Sequence, residues 1–175
     1  MPKHLNTKEI FQKGRFLIKD VDLELDNGNK VIFQYWDKSD TAIIVPLTKE
    51  GDVIFIIEYQ VALNAPMLSL PKVRIEDGED PKEIANKELQ EETGYKANKL
   101  DKIGIFTTIP GYISGKTHIY LARDLVESKL DGDEEWKMPI SKYSLKNFEY
   151  LVDDKKLTET RMITALYETK RFLSR

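Results

Sequence analysis

Gly78 to Gly94 reads GEDPKEIANKELQEETG, and this stretch decides the fold. Asp80 suits an N-cap, Pro81 the first helical position, and Glu83 a capping-box spacing behind it. Gly94 suits a left-handed C-cap, so the pattern predicts a helix from about Pro81 to Thr93. Ala85 and Leu89, four apart, share a stripe that can face a core. Beside it Glu88, Glu91 and Glu92 stand at i, i+3 and i+4, which gathers three carboxylates on one helix face. Three like charges on one turn repel unless a cation offsets them. A hard divalent ion such as Mg²⁺, which prefers carboxylate and phosphate oxygen, is the obvious candidate. A solvated acidic surface is the plain alternative.

Working outward, Val21, Leu23 and Leu25 alternate with Asp22 and Glu24, and Asp26-Asn27-Gly28-Asn29 then leads into Lys30 to Trp36, rich in β-formers. That pattern predicts an antiparallel hairpin. Ala42 to Pro46 and Val53 to Ile57 are apolar runs around Lys49-Glu50-Gly51-Asp52, which read as a second hairpin, buried on both faces. Lys102 to Thr107 and Thr117 to Ala122 read as strands. Leu145, Phe148, Leu151 and Val152 recur at helical spacing, as do Met162, Leu166, Phe172 and Leu173 in a last helix from about Thr158. Strands, helix, strands and helices together predict an α/β sandwich.

The chain's 175 residues fit one domain, with about 1–40 as an N-terminal β region and about 41–175 as a catalytic core. A net charge of −3 argues against a nucleic-acid partner. The absence of cysteine excludes disulfides, thiolate catalysis and cysteine-ligated metals, and fits a reducing cytoplasm. No apolar run approaches the roughly 20 residues that span a bilayer. Met1-Pro2-Lys3-His4 opens no signal-peptide hydrophobic region, so a cytoplasmic location is expected.

The helix and its approach resemble the box of the Nudix hydrolases. The family's order of glycine, glutamate, arginine–glutamate, aliphatic residue, paired glutamates and glycine falls on Val73, Glu79, Lys87-Glu88, Leu89, Glu91-Glu92 and Gly94, with Tyr95 closing it. Val73 and Lys87 depart from it. Either the loop is reshaped around Val73 or Gly78 supplies the turn that a glycine at position 73 would give. Pro110 in Thr108-Ile109-Pro110-Gly111-Tyr112 is similar to the ADP-ribose pyrophosphatase branch. Phe16 to Gly28, Ile56-Ile57-Glu58-Tyr59 and Leu130 to Glu134 resemble the bacterial ADP compounds hydrolases within it.

The resemblance implies the Nudix fold, an α/β/α sandwich with a mixed sheet and an N-terminal antiparallel β hairpin. It implies Mg²⁺, with Mn²⁺ able to substitute, held by Glu88, Glu91 and Glu92 and by the backbone carbonyl of Lys72. Glu79 would pair with Lys87 to lock the loop onto the helix, Gly94 closing that helix. Glu134, with Glu135 as the alternative, would ligate metal or act as general base, with Glu91 and Glu92 as the other catalytic residues. Tyr59, Arg74, Pro110 and Tyr112 would line the substrate, although Tyr59 reads equally as a core residue. Ile57 stands where relatives carry an arginine, so Arg74, Lys72 or Lys116 would have to replace that charge. The implied activity is hydrolysis of a diphosphate bond in a small-molecule nucleotide substrate, adenylated compounds first, with release of AMP. A nucleotide-sugar pyrophosphatase and a catalytically degenerate nucleotide-binding domain are the alternatives. A homodimer is implied as well, with the N-terminal region packing across a two-fold axis.

Overall fold

Helix α1 runs from Pro81 to Thr93, with Asp80 accepting from the backbone N–H of Lys82 at 2.8 Å and Gly94 in the left-handed region at φ 80°. Both caps are those the sequence signals. The computed structural model describes residues 1–132 and 138–175. Two compact units divide it, Met1–Asp40 with Phe106–Lys116, and Thr41–Ile105 with Thr117–Arg175.

The first unit is a three-stranded antiparallel sheet of β1 (Lys3–Lys13), β2 (Phe16–Glu24) and β3 (Lys30–Asp37). β2 and β3 form the expected hairpin, in register from Glu24↔Lys30 to Leu17↔Asp37. β1 joins the free side of β2, a strand that the polar run Lys3 to Lys13 does not announce. The segment 106–116 returns alongside β3, with Trp36 N–H donating to Tyr112 O at 2.8 Å and the Ser114 hydroxyl to Asp37 Oδ1 at 2.8 Å. Lys19 and Ser114 together hold the Asp37 carboxyl below its ordinary pKa, the Lys19 hydrogen bond being the larger cause. Gly115 is required here, because a Cβ would lie 2.6 Å from the carbonyl oxygen of Lys38. No residue of the three strands is buried, and Phe33 and Ile32, on opposite faces, are 58% and 59% exposed.

The second unit holds two sheets. One is mixed, in the order β7 (Lys72–Arg74), β4 (Thr41–Pro46), β9 (Lys116–Glu127), β8 (Tyr95–Thr107); the other runs β10 (Ile140–Ser144), β5 (Asp52–Gln60), β6 (Ala65–Ser69). All six residues of β4 are buried. Ala42 and Ile44 pack with Tyr120 and Ala122 against Ala85 and Leu89 of α1, and Ile43 and Val45 alternate to the opposite face. Helices α2 (Glu149–Asp153) and α3 (Thr160–Leu173) complete the α/β/α sandwich, with Met162, Ala165 and Leu166 of α3 buried.

One expected pairing is corrected. β4 and β5 are buried as read, but they do not form a hairpin; a single bridge, Leu47↔Val53, joins them before they enter different sheets. The reason lies in β4, whose two edges are taken by β7 and, in parallel, by β9, so none is left for β5.

Candidate active site

The acidic helix does not present a solvated face. Glu92 is buried, with 7% of its surface exposed, and Glu88 and Glu91 are half-buried. Burying carboxylates is costly unless hydrogen bonds or cations compensate. Glu92 Oε2 accepts from the backbone N–H of Lys72 at 3.3 Å, which brings the start of β7 onto the helix. Glu91 Oε1 lies 3.3 Å from Lys87 Nζ one turn earlier, and Lys129 Nζ donates to the backbone carbonyl of Glu91. A lysine there also supplies the cation that the last turn of α1 lacks. As the side chains stand, no group of three or more acidic or histidine residues among the described residues is arranged to hold an ion. The donor set nevertheless suits a hard divalent cation: three carboxylates share one helix face, and the buried one, Glu92, meets the main chain of Lys72.

The expected pair between Glu79 and Lys87 is not formed. Lys87 binds Glu91 at i+4, and the Glu79 carboxylate instead accepts from the N–H of Glu76 at 2.9 Å, closing its own loop. A lysine lacks the fork that lets arginine engage a second carboxylate in fixed geometry, so the nearer partner on its own helix face wins. The Val73 alternatives resolve as well. Val73 is an ordinary strand residue opposite Ala42, and Gly78 carries the positive φ of 85° in the turn before the helix.

The other expected substrate residues fall in both units. Tyr59, at the end of β5, is 39% exposed and donates to Asn64 Oδ1, so it is no core tyrosine. Arg74 faces solvent in a two-point contact with Glu76 (2.9 and 3.1 Å). Pro110 and Tyr112 belong to the first unit, in a turn where Tyr112 N–H donates to Ile109 O at 2.9 Å; Tyr112 is 70% exposed. Glu134 and Glu135 lie outside the described residues. Glu58 was missed. Its carboxylate forms an ion pair with Lys72 Nζ, and the only sequence signal was a lone charge at the end of the apolar run Val53 to Ile57.

The chain is a pyrophosphohydrolase, and its capped helix carries three carboxylates on one face inside an α/β/α sandwich, with Glu92 buried against a short edge strand. The NUDIX domain family model matches residues 37–160, and the chain belongs to the Nudix family. Within it the chain is similar, along nearly its whole length, to a bacterial ADP compounds hydrolase and to a bacterial ADP-ribose pyrophosphatase. It is 32% identical to the ADP compounds hydrolase NudE of Escherichia coli over 98% of this chain and 93% of that protein. The ADP-ribose pyrophosphatase of Bacillus subtilis is 30% identical over 94% of this chain and 92% of its own length. A solved structure described as an ADP compounds hydrolase superposes with a TM-score of 0.90 at 31% identity, over 99% of this chain and 94% of the other.

Proposed function

We propose that this enzyme hydrolyses a diphosphate bond in adenylated compounds such as ADP-ribose, NADH or dinucleoside polyphosphates and releases AMP. The observation that carries the reading is the three-carboxylate face of α1, whose buried member Glu92 accepts from the main chain of Lys72. Nudix hydrolases in general use divalent metal ions. Here Glu88, Glu91, Glu92 and the Lys72 carbonyl would hold Mg²⁺, with Mn²⁺ able to substitute. Such an ion neutralises diphosphate charge and acidifies bound water. Glu134, or Glu135 in its place, takes the proton of the attacking water at a carboxylate oxygen. A new P–O bond forms to that water as the bridging P–O bond breaks, and AMP leaves with the other phosphorylated half. Tyr59, Arg74, Pro110 and Tyr112 orient the substrate.

A release screen over ADP-ribose, NADH, dinucleoside polyphosphates, UDP-glucose, GDP-mannose and capped RNA, with and without Mg²⁺, tests the proposal. The adenylated compounds are expected to be cleaved fastest, and only with metal. A screen in which UDP-glucose or GDP-mannose outruns every adenylated compound would establish the nucleotide-sugar alternative. No turnover of any compound, with nucleotide still bound, would establish the degenerate one. Glu134→Gln is expected to lower kcat about a hundredfold with little change in KM, since a general base acts in the transition state. An unchanged kcat would move the base to Glu135 or elsewhere.

We also infer a homodimer, supported by an N-terminal sheet that buries none of its own strand residues. No helix among the described residues is long and apolar enough to cross a membrane. A cytoplasmic setting is proposed on the absence of cysteine.

A further inference from the structure

We propose that Lys72 and Glu58 form a positioning pair that sets the main chain of β7 against the acidic helix, an inference that rests on the metal-site reading above. Strand β7 is three residues long and, among the described residues, lies at the edge of its sheet, paired with β4 alone through Thr41↔Arg74, Ala42↔Val73 and Ile43↔Lys72. So short a ladder does little by itself to fix where its first residue sits. Lys72 is that residue, and it is tied in two further directions. Its backbone N–H donates to Glu92 Oε2 at 3.3 Å on α1. Its ammonium donates to Glu58 Oε2 on β5, in the other sheet, with Ser69 Oγ at 3.5 Å.

The side chains of the pair are only 16% and 23% exposed. A part-buried pair of this kind holds its geometry more firmly than a surface one, because separating it leaves a poorly hydrated charge. The ammonium is therefore committed to Glu58 and has little charge left for a diphosphate. Its effect is indirect: it fixes the backbone whose carbonyl is the proposed metal ligand. Groups that orient metal ligands from behind affect affinity by about 10–100-fold.

The probe is Mn²⁺ alone, bound to nucleotide-free protein and followed by paramagnetic resonance of free Mn²⁺ and by calorimetry. Lys72→Met and Glu58→Gln are each expected to raise the Mn²⁺ Kd roughly tenfold. Lys72→Arg, which keeps the ion pair, is expected to stay close to the parent. In both weakened variants, turnover lost at low Mn²⁺ should return at saturating Mn²⁺, a recovery that general destabilisation would not produce. If Lys72→Met does not fold, Glu58→Gln, which retains an acceptor and the side-chain shape, carries the test. Parental Mn²⁺ affinity in the folded variants overturns the inference. So does a raised nucleotide KM with unchanged Mn²⁺ affinity, which would make Lys72 a substrate contact. A parent protein that binds no Mn²⁺ sinks the metal-site reading itself, and this inference with it.

Discussion

Glu92→Gln is expected to lower kcat about a thousandfold at saturating Mg²⁺, a loss of about 4 kcal/mol of transition-state stabilisation. The magnitude follows from position. Glu92 is the most buried of the three carboxylates, and its Oε2 already meets the backbone of Lys72. An amide in its place still offers an oxygen to that N–H, so the strand–helix contact survives. What disappears is one negative charge from the group proposed to hold the metal. Without metal, removing one of three like charges relieves repulsion, so the melting temperature in EDTA is expected to be equal to or above that of the parent. Parental turnover in a folded Glu92→Gln protein would end the metal assignment. A collapse of the melting temperature would instead mark Glu92 as structural.

Phe33→Asp is expected to convert a dimer into a monomer. Phe33 is 58% exposed on one face of the N-terminal sheet, where β-strand alternation puts it with Val31 and, across the ladder, with Val21 and Leu23. A sheet this thin without a buried face has little independent stability, which is the argument for a second copy covering it. A two-fold axis uses each substituted position twice, so at about 2 kcal/mol per copy the dissociation constant rises roughly a thousandfold. Sedimentation of the parent at micromolar concentration should report about twice 20.3 kDa, and the variant about 20.3 kDa. A parent that sediments as a monomer refutes the dimer. A monomeric variant with full kcat would show that dimerisation is separate from catalysis.

The parts legible in the sequence are those fixed by neighbours along the chain. Caps at Asp80, Pro81 and Gly94 and the spacing of Glu88, Glu91 and Glu92 are local, and so helix α1 stands where the pattern puts it. The hairpin of β2 and β3 was equally legible through its turn residues. Pairing over distance was not. Two adjacent apolar runs suggest a hairpin, yet β4 finds its partners in residues 72–74 and 117–122. β1 escaped notice because none of its residues is buried, so no apolar alternation marks it. In the site, the helix carboxylates were readable from spacing, whereas the partner of Lys87 was decided by which carboxylate its flexible stem reaches first. Glu58 became visible only once β5 and β7 stood in space.

The parallel pairing of β4 with β9 also has a consequence for biosynthesis. Thr41 to Pro46 leave the ribosome long before their partners, which lie roughly 75 residues further on. At about 5–20 residues per second, that edge of an apolar strand waits for roughly 4–15 s. Loop closure over such a distance must come before the contacts that reward it, so this step is expected to be the slow one in folding. During the wait, Ala42 to Val45 form a short β-prone segment without charge, open to neighbouring nascent chains. A trigger-factor-type holdase, or a lower growth temperature, should therefore raise the soluble yield of this enzyme more than it raises that of proteins whose strands pair with their immediate neighbours.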